Sequence, residues 1–355
     1  MKLITITTLL ATTGLLLAQG SLTPPGAPAS TMKTLDQIEP RTPLIASSPG
    51  VSINGSGTIT ISQSGSYYLT ENLTVTSGDG ILINAAGVTL DLNGFTISST
   101  SATPAGTAID IDSSSVSVFN GHILSGVTYD SGATGDQFTG SGFFNGISAD
   151  SIFYENIRLQ NLSVQGVDSQ SIFCSNLNST IVESCTVTVC GSTGIRAGLV
   201  KHCMVENAGL DGILAREVSF CYATSVGADG IDASYNVSNS TGVTTSTSST
   251  SNGIEANGNV INSYGVSNGG DGIESTGNVS NSYGNTNGTG DGIFASFNVM
   301  NSYGLSDGDD GIDATYTISY SRGFTLGTGV GLECTIAIGC TSSGGESITN
   351  RYLMP

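Results

Sequence analysis

The sequence predicts an all-β solenoid of parallel strands, wound in coils of about 18 to 23 residues with three short strands per coil. Three observations carry this. Phrases return at a near-constant interval, two segments of each repeat keep their length while the third stretches, and apolar and polar residues alternate within segments. The repeat is plainest in DGIESTGNVSNSYGNTNGTGDGIFASFNVMNSYG, Asp271 to Gly304, where Asp-Gly-Ile, Asn-Val and Asn-Ser-Tyr-Gly each occur twice, twenty residues apart.

Residues 1–20, MKLITITTLLATTGLLLAQG, carry Lys2, an apolar run and the small-residue pattern Ala18-Gln19-Gly20, which is the form of a secretory signal peptide. A secreted protein without a membrane span is expected. Residues 21–49 hold six of the eight prolines and read as an extended linker or cap. From Gly50 the segments GTITIS, GVTLDLNGF and SVSVFNGHI alternate with period two between Gly and Asn turns, the pattern of strands. Solenoid is expected over 50–345 and a tail over 346–355.

Within the coils, Ile195, Ile213, Ile231, Ile254, Ile273, Ile293, Ile312 and Leu332 form one apolar column, with steps of 18, 18, 23, 19, 20, 19 and 20 residues. Val237, Val260, Val279, Val299, Ile318 and Ile338 follow six residues later as a second column. Val243, Val266, Asn285, Leu305 and Phe324 follow another six on, and are expected to be the third. A small-residue column is expected at Ala215, Ala233, Ala256, Ser275, Ala295 and Ala314. An Asn column at Asn239, Asn262, Asn281 and Asn301 should mark the second corner, with Gly265, Gly284 and Gly304 permitting the turn. A single unit cannot bury its own apolar residues, but stacked units bury a continuous core. At about 4.8 Å per coil, roughly thirteen coils make a rod of about 60 Å.

Composition narrows the function. The formal charge is −19, and no Lys or Arg lies between Arg216 and Arg322. Nucleic acid and anionic membrane are therefore poor partners, and a polyanionic glycan would need a bridging cation. Seven cysteines fit an oxidising compartment, and their odd number leaves at least one free. Cys185, Cys203 and Cys221 are eighteen residues apart, so they align on neighbouring coils, either as one disulfide or as a reduced stack.

GVTLDLNGFTI and SVSVFNGHI, followed by the Gly-Ile coils, resemble right-handed parallel β-helix proteins of the pectin-lyase-like group, over about residues 50 to 345. The resemblance implies the fold, and it leaves activity open because that fold hosts lyases, hydrolases, epimerases, adhesins and phage spikes. The Asn-Thr-Asp, Gly-His-Gly and Arg-Ile-Lys elements of the polygalacturonase hydrolases are missing.

Candidate site residues follow from the columns. The Asp before each Gly (Asp211, Asp229, Asp271, Asp291 and Asp310) is replaced by Asn252 in one coil, which points to a capping role for the side chain. The residue after each Ile should face outward, in the order Arg196, Leu214, Asp232, Glu255, Glu274, Phe294, Asp313, Glu333. Asp232, Glu255 and Glu274 on successive coils need water, raised pKa values or a cation, and their oxygens would suit Ca²⁺. By resemblance to lyases of this fold, Arg216 or Arg196 would serve as base toward a sugar C5 proton, with Asp232 and Glu255 holding Ca²⁺. The insertions ISSTSATPAGTA, SGVTYDSGATGDQFTGSGFFNG and TTSTSSTSNG should project from one edge. The second offers Tyr129, Phe138, Phe143 and Phe144, which either stack on sugar rings or cover the side of the rod. The expected partner is extracellular polysaccharide and the expected state is a monomer; the alternative is a non-catalytic surface-structural or adhesin-like rod.

Overall fold

A computed structural model of the chain describes residues 41–132 and 137–352. The expected signal peptide and residues 21–40 of the linker lie outside them. All regular structure among the described residues is β-strand. It forms a parallel β-solenoid of about fourteen turns, consistent with the right-handed parallel β-helix. Each coil contributes one strand to each of three faces. In the ninth coil these are Ile254–Ala256, Val260–Ile261 and Tyr264–Ser267. Each pairs in parallel with its counterpart in the next coil, Ile273–Ser275, Val279–Ser280 and Tyr283–Thr286. At the start, Val51–Ile53 folds back antiparallel on Ile59–Ile61. Thr42–Pro43 and Glu346–Tyr352 also pair with neighbouring coils, so strand pairing extends beyond 50–345 at both ends.

The first two columns face inward as the alternation requires. Ile195, Ile213, Ile231, Ile254, Ile273, Ile293, Ile312 and Leu332 are fully buried on the first face, as are Val237, Val260, Val279, Val299 and Ile318 on the second. The small column beside the Ile is also buried, from Ala215 to Ala314. Ile338 points outward, and its neighbour Ala337 takes the core position in the last full coil.

The third column differs from expectation. Val243, Val266, Asn285, Leu305 and Phe324 point outward, and the inward positions of that face belong to Gly242, Gly265, Gly284, Gly304 and Gly323. These glycines are not turn residues. They sit within strands, where a Cβ on Gly284 would lie 2.7 Å from Ile293 Cγ1. The Ile of the next coil occupies the space that a larger residue would need. Two residues on, Ser267, Thr286, Ser306 and Thr325 are buried, and their hydroxyls donate to the backbone carbonyls of Ser251, Gly270, Gly290 and Asp309 at 2.6–2.8 Å. Those bonds tie the third face to the third corner, where the coil changes length.

The second corner turns on a left-handed residue in successive coils. Asn239, Asn262, Asn281 and Asn301 have φ between 48° and 51°, and His202, Phe220 and Tyr320 take the same conformation in other coils. Asn tolerates it best among residues with a Cβ. The next residue is Cys or Ser: Cys185, Cys203, Cys221, Ser240, Ser263, Ser282, Ser302, Ser321 and Cys340. Each serine hydroxyl donates to the carbonyl two residues back at 2.8 Å and accepts the amide of its counterpart one coil earlier at 3.1–3.3 Å. Cys203 does the same with its thiol, accepting the Cys185 amide at 3.4 Å and donating to the Lys201 carbonyl. All seven cysteines are free and buried, so the aligned thiols are a reduced stack.

The ladder and the glycines give a stability prediction. Ser282→Ala removes the acceptor of a buried amide and is expected to cost about 1–3 kcal/mol. Gly284→Ala drives a methyl into the next coil and should cost about 1–3 kcal/mol or more. Asn281→Gly keeps the corner conformation and should cost roughly under 1 kcal/mol. Urea unfolding of the three variants ranks them; equal stability of Gly284→Ala and wild type would refute the packing.

Candidate functional site

The outward row of the first face is continuous. Arg196, Leu214, Asp232, Glu255, Glu274, Phe294, Asp313 and Glu333 lie side by side in register from coil to coil. Asp232, Glu255 and Glu274 are half-buried neighbours. Burial, with Asp211 nearby, pushes the Asp232 carboxyl up to about 6. Burial, reinforced by Asp232 and Glu274, raises that of Glu255. The Asn252 side-chain amide reaches both glutamates, donating to Glu274 Oε2 at 2.7 Å and to Glu255 Oε2 at 3.4 Å. One amide thus relieves the repulsion that neighbouring like charges would otherwise impose.

Behind this row, at the third corner, stands the Asp column. Asp211 Oδ1 accepts the Asp229 amide, Asp229 Oδ1 that of Asn252, Asn252 Oδ1 that of Asp271, Asp271 Oδ1 that of Asp291, and Asp291 Oδ1 that of Asp310, at 2.5–3.2 Å. Asp310 continues the series to Val330 at 2.7 Å. The side chain caps the next coil rather than its own turn, and Asn serves because only an acceptor oxygen is needed. Among the described residues, one group of three acidic side chains brings its oxygens within 4.8 Å of one another: Asp291, Asp309 and Asp310. It lies apart from the Asp232, Glu255 and Glu274 row. Asp309 carried no signal in the sequence, since it falls in the stretch of variable length.

The two candidate bases occupy different places. Arg196 lies in the first-face row over the Phe173 ring, 5.1 Å from its centroid, and its Nε is buried without a hydrogen-bond partner. Arg216 lies at the first corner, donates from Nη1 to Asn178 Oδ1 at 3.3 Å, and covers the Tyr235 ring at 5.6 Å. Two coils separate Arg196 from Asp232, because Leu214 lies between them in the row.

No model of a known protein family matches the chain, and no curated protein is detectably similar to it.

The three insertions all leave from the third corner, as expected. In the second, Thr128–Tyr129 pairs antiparallel with Phe138–Thr139, and the Tyr129 and Phe138 rings lie 5.0 Å apart. Phe143 is wholly buried in the core and Phe138 nearly so, which withdraws both from any ligand. Their hydrophobic bulk holds the hairpin against the rod. Tyr129 is half-buried and Phe144 is exposed, so these two remain on the surface.

Aromatic residues outside the insertions also form rows, which the spacing of the apolar columns does not reveal. Tyr264, Tyr283 and Tyr303 stack along the third face with centroids 4.9 and 5.2 Å apart. Phe297 and Tyr316 stack at the first corner, 5.7 Å apart. The recurrent Tyr of Asn-Ser-Tyr-Gly was the available signal for the first of these stacks.

The Asp column predicts an unusual pH dependence. Burial pushes Asp229 up to about 8, Asp271 to about 7 and Asp291 to about 8, with neighbouring carboxylates adding to the effect. The folded state therefore holds protons that the unfolded chain, with carboxyls near 3.8, releases. Stability contributed by these groups is present below the unfolded value and is lost as pH rises through the folded values. Thermal unfolding should thus occur at lower temperature at pH 8 than at pH 5. Asp229→Asn, which copies the natural Asn252, should flatten that slope and raise stability at pH 8 by about 1–3 kcal/mol. A melting temperature that climbs from pH 5 to pH 8 would contradict this.

Proposed function

We propose that the chain is a secreted glycan-binding solenoid that engages a neutral extracellular polysaccharide along the first face and the third-corner edge. The observation that carries this is the continuous outward row from Leu214 to Glu333, in which the carboxylates of Asp232, Glu255, Glu274, Asp313 and Glu333 are joined by the apolar side chains of Leu214 and Phe294 at one residue per coil. Carboxylates accept hydroxyl hydrogen bonds strongly, and apolar or aromatic side chains suit the C–H faces of sugar rings. The absence of any Lys or Arg between Arg216 and Arg322 favours an uncharged polymer over a polyuronate.

A lyase reading, with Arg216 or Arg196 as base and Ca²⁺ on Asp232 and Glu255, has less support. Both guanidinium groups are committed to aromatic rings, and Arg216 also to Asn178. An Arg base must in addition give up a proton it holds very strongly. Among the described residues no helix is long and apolar enough to cross a membrane.

Affinity electrophoresis against neutral and uronic polysaccharides, with and without Ca²⁺, tests the proposal. Retardation by a neutral glycan is expected without Ca²⁺. The double variant Glu255→Gln/Glu274→Gln should weaken it by about tenfold, the loss of roughly 1.4 kcal/mol of charge-assisted hydrogen bonding. Failure to bind any glycan leaves the non-catalytic structural rod as the reading; formation of unsaturated products would establish the lyase instead.

A further inference from the structure

The first corner carries a second feature, one rank beside the acidic row. Its outward residues in successive coils are Tyr235, Gly258, Gly277, Phe297 and Tyr316. The coils that hold them follow one another in the pairing order of both adjoining faces. Tyr235, Phe297 and Tyr316 are each about half exposed, at 55%, 49% and 52%. The column is thus an aromatic row with two members missing.

The outer ring faces are occupied. Arg216, from the coil before, covers one face of Tyr235, and Tyr316, from the coil after, covers one face of Phe297. The remaining faces of Tyr235 and Phe297 look toward each other across the two glycines. Neither glycine can carry a side chain to fill the gap, because a Cβ on Gly258 would lie 2.6 Å from the Tyr235 carbonyl oxygen. A Cβ on Gly277 would lie 2.6 Å from Gly258 backbone. The opening is therefore fixed by backbone approach.

One side of the gap is a row of amides. Asn259 Nδ2 donates to Asn236 Oδ1 at 3.2 Å, Asn278 to Asn259 at 3.0 Å, and Asn298 to Asn278 at 2.9 Å. On the other side the exposed Asn257 and Thr276 stand directly before the two glycines, while Glu255 and Glu274 are held toward Asn252 at the third corner. Three coils separate Tyr235 from Phe297, or about 14 Å along the rod. Stacked rings elsewhere on this surface repeat at 4.9 and 5.2 Å, so two flat rings complete the row.

We infer that this gap is a sugar subsite: it takes pyranose rings of an uncharged glycan against the open faces of Tyr235 and Phe297. Ring C–H faces meet the aromatic faces, whose negative π surface attracts them. Sugar hydroxyls bond to the Asn amides on one side and to Asn257 and Thr276 on the other. The lack of cationic groups in these coils disfavours uronic acids and sulfated sugars. Arg216 then acts as a positioning residue that fixes the Tyr235 ring. This subsite rests on the glycan-binding reading and names the part of the surface where that polymer is gripped.

The test is calorimetric or electrophoretic titration of the full chain with a soluble neutral oligosaccharide series and with the polymer. Tyr235→Ala and Phe297→Ala should each weaken binding by about tenfold, and Tyr235→Phe and Phe297→Tyr should restore it. Tyr320→Ala, which removes a ring of equal exposure at the second corner, should leave affinity unchanged. All these side chains are exposed, and unaltered thermal unfolding confirms that the variants are folded. Glycan binding that depends on Glu255 and Glu274 but is indifferent to Tyr235→Ala and Phe297→Ala would overturn the subsite while leaving the face intact. No binding by wild type would overturn both.

Discussion

Coil-to-coil backbone hydrogen bonding is the constraint on which the rest of this molecule depends. Each strand bonds to its counterpart one turn away, so a residue sits directly over the residue that plays the same part in the neighbouring coil. Any side chain is then stacked on its own kind about 4.8 Å away. Only groups that tolerate such company can be repeated. Ile on Ile buries apolar surface, Asn on Asn exchanges amide hydrogen bonds, and Ser on Ser passes a hydroxyl from one amide to the next. The buried hydroxyls and thiols of the second corner are therefore part of the winding itself. Each satisfies an amide and a carbonyl that the turn removes from the strand ladder.

Carboxylates are the group least suited to this rule, and this chain stacks them twice, at the third corner and on the first face. Two devices make that possible. In the corner column every Oδ1 accepts a backbone amide of the next coil, and burial together with adjacent carboxylates pushes Asp229, Asp271 and Asp291 toward the protonated form. At the centre of the stretch a neutral Asn252 replaces one Asp and uses its free amide to hold Glu255 and Glu274. Backbone capping favours the charged carboxylate and burial favours the neutral one; here burial is the larger effect. An acidic surface is thus compatible with a coil that has no cation of its own in these turns.

The winding was legible because registry converts sequence period directly into position. The Ile and Val columns, the small-residue column, the Asn corner and the edge from which the insertions leave could all be read from spacing alone. The third face could not. Val243, Val266 and Leu305 look like core by residue type, but the adjacent Gly242, Gly265 and Gly304 point inward, and a glycine in a strand suggests a turn until its packing is known. The space is filled by the Ile of the following coil, a contact between different faces that no period reveals. Phe143 misled in the same way. In a polar loop its ring resembled a binding group, yet the loop folds back and buries it completely.

The same reasoning bears on where function should be sought. Residues that repeat in every coil are explained by the winding, since each is required by the copy above and below it. Information lies where a column changes character. Asn252 interrupts the Asp column, Gly258 and Gly277 interrupt the aromatic row, and Phe294 interrupts the carboxylates. All of these lie within a few coils of one another, on the first face and the two corners that border it. Other coils carry Asp where Asn252 stands and carboxylates where Phe294 stands, so those two interruptions are not demanded by the fold, whereas backbone approach fixes Gly258 and Gly277. Their convergence on one side of the rod is what a polymer ligand requires: many individually weak contacts at a fixed spacing, with an anchoring grip where the regular surface opens.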